Sequence, residues 1–68
     1  MMNEILLLRN FKEKYNLTWA TVASIFGRSM SSVMQWLSGR RRIPSSTRRL
    51  LRIFIDHPQV FNSYRLGK

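Results

Sequence analysis

The chain of 68 residues has no cysteine and only one histidine. Without thiols it can form neither a disulfide staple nor a thiolate–metal site, and their absence fits a reducing compartment. Carboxylates are scarce: Glu4, Glu13 and Asp56 stand against twelve Lys and Arg, a formal net charge of +9. Three scattered acids and a lone His57 leave few acid–base players, so an enzyme is not expected, and no catalytic residue, cofactor or metal ligand is assigned. His57 is read as a helix-cap residue. Long apolar runs are also missing. The run near the start, Ile5 to Leu8, is shorter than a signal-peptide core and far below the roughly 20 residues of a membrane span. A soluble, cytoplasmic protein is expected. No strand alternation, repeat or low-complexity segment is visible, so the residues 1–68 read as one all-α domain.

The cations that are present are clustered. No acid lies between Lys14 and Ile55, while Arg28, Arg40, Arg41, Arg42, Arg48, Arg49 and Arg52 all do. Positive charge of this density repels itself unless an anionic partner neutralises it, and nucleic-acid phosphate is the usual partner.

Apolar spacing predicts five helices. The first, residues 3–15, is capped by Asn3 and repeats Ile5, Leu8, Phe11 and Tyr15, with Leu6 and Leu7 widening the stripe. The second, residues 18–26, starts at the cap Thr18, buries Val22, Ala23 and Phe26, and ends at Gly27 in a left-handed turn. The third, residues 29–38, starts at the cap Ser29 and stops at Gly39. The fourth, residues 45–56, follows Pro44. The fifth, residues 58–64, opens at Pro58 and offers Val60, Phe61 and Tyr64. In the fourth helix Leu50, Leu51, Ile53, Phe54 and Ile55 cover an arc of about 200°. One core needs only about 100° or slightly more. A last helix or a second subunit must cover the remainder, and Leu51, Ile55, Val60 and Phe61 are the expected dimer contacts.

The third helix carries the chemistry. Val33, Trp36 and Leu37 share one face, and Met30, Ser31, Met34, Gln35 and Ser38 share the other. Two short helices joined by a glycine turn, the second begun by its own cap, form a helix-turn-helix, whose DNA-binding version lays its second helix in the major groove. That helix needs an apolar face to dock on the domain and an outer face that reads base edges without bulk. Gln35 can pair bidentately with adenine, Ser31 can bond either kind of base, and Met30 and Met34 can cover a thymine methyl.

The stretch "LTWATVASIFGRSMSSVMQWLSGRRRIP" resembles the helix-turn-helix of the Cro and phage-repressor (XRE-like) family. Leu17, Thr18, Val22, Ala23, Phe26, Gly27, Ser29, Val33, Trp36, Gly39, Arg40 and Pro44 fall at the matching places, over 28 residues. The resemblance implies a small lambda-repressor-like bundle of four or five helices. It also implies sequence-specific binding to double-stranded DNA as a homodimer on an inverted-repeat operator. By position, Met30, Ser31 and Gln35 correspond to base readers, with Met34 beside them. Ser29, Ser38, Arg40 and Arg42 correspond to phosphate contacts, and Arg41, Arg28 and Lys12 join them on charge. Two positions depart from the pattern: Trp19 stands where glutamine is common, and Arg28 where an apolar turn residue is usual. Trp19 is read as packing over Val22 and Ala23.

The expected function is that of a homodimeric transcriptional regulator, a repressor acting by promoter occupancy, including at its own operon. The alternative is an antitoxin that binds a toxin protein and autoregulates. RNA binding is disfavoured because no aromatic sheet platform or GXXG loop is present. A membrane-active helix is the remaining rival; no membrane partner or small-molecule ligand is expected.

Overall fold

The computed structural model describes residues 4–66, with side chains described for residues 4–64. It holds five helices: α1 (Glu4–Lys14), α2 (Trp19–Ile25), α3 (Met30–Leu37), α4 (Ser45–Asp56) and α5 (Pro58–Leu66). The described residues form no strand, and the fold is a small all-α bundle. Among these residues no helix is long and apolar enough to cross a membrane. The expected first cap, Asn3, lies outside the described residues.

The helix ends follow from local chemistry. Thr18 Oγ1 accepts the backbone N–H of Thr21, and Ser29 Oγ accepts that of Ser32, each at 3.1 Å. Each bond satisfies one of the first-turn donors that a helix leaves without an internal partner. At the other ends, α1, α2 and α3 all close in the same way, through a left-handed residue. These residues are Asn16, Gly27 and Gly39, with φ of 53°, 65° and 82°. In α2 the Arg28 N–H reaches the Ala23 carbonyl at 2.8 Å and the Gly27 N–H reaches Ser24 at 3.1 Å. In α3 the Arg40 N–H reaches Gln35 at 2.9 Å and the Gly39 N–H reaches Trp36 at 3.1 Å. This is the paired Schellman closure. A Cβ added at either glycine would meet nothing within 4 Å, so the demand there is for the backbone angle, not for space. Asn16 takes the left-handed position because a short polar side chain tolerates it better than most.

An aromatic cluster knits the bundle together. Phe11 of α1 meets Phe61 of α5 edge-on at 4.9 Å between ring centroids and stacks with Phe54 of α4 at 6.1 Å. Phe26, after α2, packs on both Phe11 and Phe54. Each fully buried ring contributes about 1.5–3 kcal/mol, with roughly another 0.5–1.5 kcal/mol for a well-placed aromatic pair. A chain this short has few other sources of stability. Trp36 and Val33 of α3, with Ile43 of the following loop, extend the core toward the α3 end.

The surplus apolar arc of α4 is taken up within the chain in part: Leu50 and Ile55 are half-buried and Ile53 stays 43% exposed. Phe61 and Tyr64 of α5 lie 5.0 and 5.7 Å from Phe54, ring centroid to centroid. Two of the four expected dimer contacts are therefore corrected. Leu51 is 2% exposed and Phe61 0%, both inside the domain's own core, where no partner can reach them. Ile55 is half-buried and Val60 is exposed. Leu6, expected to widen the α1 stripe, is 53% exposed, whereas Leu7 does pack against the core.

Candidate nucleic-acid interface

The orientation of α3 decides what this surface offers. Val33 and Trp36 are buried, Leu37 is half-buried, and Met30, Ser31, Met34 and Ser38 are exposed. Met30 and Met34, at 42% and 41%, are among the most exposed large apolar side chains described. Gln35 is half-buried at the edge of the same face. Its backbone carbonyl accepts the N–H groups of Arg40 and Arg41 and the Ser38 hydroxyl, at 2.9, 3.3 and 3.2 Å. Its side-chain amide makes no hydrogen bond with the described residues. Three of the four expected base readers, Met30, Ser31 and Met34, are thus exposed on a single helix, with Gln35 half-buried beside them.

Cations flank α3 at both ends, while its own eight residues carry no charge. Arg40, Arg41 and Arg42 leave its C-terminus and are all exposed. Arg28 precedes its N-terminus, and Nη2 of its guanidinium leans 3.5 Å from Ser46 Oγ at the start of α4, a weak contact that leaves it exposed. Lys12 is less free than its charge suggests: its Nζ lies 5.2 Å from the centre of the half-buried Trp19 ring. This cation–π contact contributes about 0.5–1 kcal/mol at such a site and holds the ammonium beside α2. Trp19 itself is half-buried and packs against the core, the role expected of an aromatic side chain there.

The two serines expected at phosphate are engaged inside the helix. Ser29 Oγ caps α3 and donates to Ser32 Oγ at 3.1 Å, and Ser38 Oγ donates to the Gln35 carbonyl. Either hydroxyl must exchange an internal partner to bond an outside oxygen.

The structure adds an ion pair that no sequence spacing indicates. Arg48 Nη1 of α4 donates to Glu4 Oε2 of α1 at 2.8 Å, across 44 positions of chain, with both side chains about two-fifths exposed. Arg48 Nε is buried with no hydrogen-bond partner. Glu4 also lines a cleft with Trp36, Arg41, Arg42 and Ile43, so it is the acid nearest the loop after α3. No three His, Asp or Glu side chains gather as a metal cluster among the described residues. Comparison with models of known families, with curated proteins and with solved structures matches this chain to none of them.

Proposed function

We propose that this chain is a sequence-specific binder of double-stranded DNA that inserts α3 into the major groove and acts as a homodimeric transcriptional regulator in the cytoplasm. One observation carries the reading: α3 turns two methionines and a serine outward, with the half-buried, unbonded amide of Gln35 beside them, while its ends are flanked by arginine. An α-helix with its side chains is about 10–12 Å across, which the major groove, about 12 Å wide, admits. The uncharged strip suits base edges and thymine methyls, and the flanking guanidiniums suit phosphate oxygens.

The mechanism follows from that division. The net charge of +9 draws the protein to any duplex by counterion release. Arg28, Arg40, Arg41 and Arg42 set the register on the backbone, and Met30, Ser31, Met34 and Gln35 choose among sequences. A single short helix reads too few base pairs for useful specificity, so two copies on an inverted repeat are required, with half-sites about 10–10.5 bp apart. Ile55 and Val60 remain the candidate dimer contacts. Such a molecule regulates by occupying a promoter, which makes repression its simplest action.

Selection of bound sequences from a random duplex library tests the whole reading. Enrichment of a motif with two-fold symmetry is expected. Recovery of unenriched sequences, with equal affinity for duplex and for heparin, would overturn it.

A further inference from the structure

The α3 surface leaves the densest arginine group outside it unused. Arg48, Arg49 and Arg52 fall within an arc of about 100° on α4. They line one cleft with Ser45 and Glu4. Arg49 and Arg52 are exposed and make no ion pair; Asp56, one turn beyond Arg52, makes none either, and the only pair among the described residues is Arg48–Glu4. Glu4 also lines a second cleft, with Arg41 and Arg42 of the loop after α3. Cations of that loop and of α4 therefore lie on either side of one carboxylate, a belt of arginines set around Glu4.

A belt of this kind suits a phosphodiester backbone. Guanidinium groups bond phosphate oxygens through paired N–H donors, and a carboxylate presents similar acceptor geometry. Glu4 on Arg48 accordingly occupies the place a phosphate would take. A membrane surface fits less well: insertion needs a broad free apolar face, and on α4 Leu51 and Phe54 are buried in the core, which leaves Ile53 as its exposed large apolar side chain.

We propose that Arg49 and Arg52, with Arg48, form a second phosphate-binding surface that grips duplex DNA beyond the segment read by α3, and that Glu4 fills it in the unbound protein. The inference rests on the DNA-binding reading and lengthens its footprint.

The test compares the full chain with the double variant Arg49→Gln/Arg52→Gln on a duplex trimmed to the selected motif and on the same duplex extended by about one helical turn at each side. Both side chains are exposed, and thermal unfolding followed by circular dichroism checks that the variant folds. Extension should strengthen binding of the unaltered chain and not of the variant. The variant's slope of log affinity against log salt should fall by about 1.8 on the extended duplex, two phosphate contacts at about 0.9 each. Glu4→Gln, which frees Arg48, should steepen that slope. An identical flank gain and slope for variant and unaltered chain would overturn the belt. So would loss of binding confined to phosphatidylserine vesicles, which would assign the belt to a membrane. If no motif is selected, the α3 reading fails by itself. The belt is then judged by the same change in slope on a long duplex of mixed sequence.

Discussion

α3 and α4 are both amphipathic, yet they differ in what lies on the face turned away from the core. α4 buries Leu51 and Phe54, with Phe61 and Tyr64 of α5 packed on Phe54, and leaves Ile53 43% exposed. α3 buries Val33 and Trp36 and leaves Met30 and Met34 uncovered. Charge divides along the same line: α3 has no ionisable side chain, and α4 carries Arg48, Arg49, Arg52 and Asp56. The exposed strip of α3 is thus neutral, and the exposed arc of α4 is cationic around its one open isoleucine.

The contrast can be broken most forcefully in the core. Leu51→Glu places a carboxylate at a site 2% exposed, and the expected cost is beyond about 4 kcal/mol, enough to abolish a cooperative thermal transition. Ile53→Glu, two residues on and 43% exposed, should stay within about 0.5 kcal/mol of the parent. A folded Leu51→Glu chain would show that α4 does not pack as described.

The next effect separates the strip of α3 from its flanks. Gln35→Ala should cost about 1–3 kcal/mol on the selected site and little on mixed-sequence DNA. Arg41→Ala should weaken both duplexes alike and lower the salt slope by about 1. Anisotropy titrations at several salt concentrations measure both. If Gln35→Ala affects the two duplexes equally, the amide reads no base.

The smallest effect concerns Ser29, where the family resemblance implies phosphate and the structure has a cap. Ser29→Ala should cost about 1 kcal/mol of stability, and Ser29→Asp should restore most of it. The melting temperature should drop by about 4–8 °C for a domain of this size. An unchanged melting temperature with weakened DNA binding would instead give Ser29 to phosphate.

The sequence by itself determined the helices, their ends and the outward strip. Caps, left-handed closures and apolar spacing act over four or five residues, so Thr18, Gly27, Ser29 and Gly39 mark boundaries that the structure keeps to within about one residue. The fifth helix runs on to Leu66, two residues past the expected end. The phase of α3 could be read the same way, because the core residues Val33 and Trp36 recur at its helical period. Tertiary structure alone decided what covers each face. A 200° arc on α4 states how much surface needs a partner and does not say whether that partner is α5 or a second copy. The Arg48–Glu4 pair, 44 positions apart, and the Tyr64 hydroxyl on the Ile25 carbonyl, 39 apart, have no local signature. Contacts of that span depend on how helices pack in three dimensions, and periodicity within one helix carries no information about its neighbours.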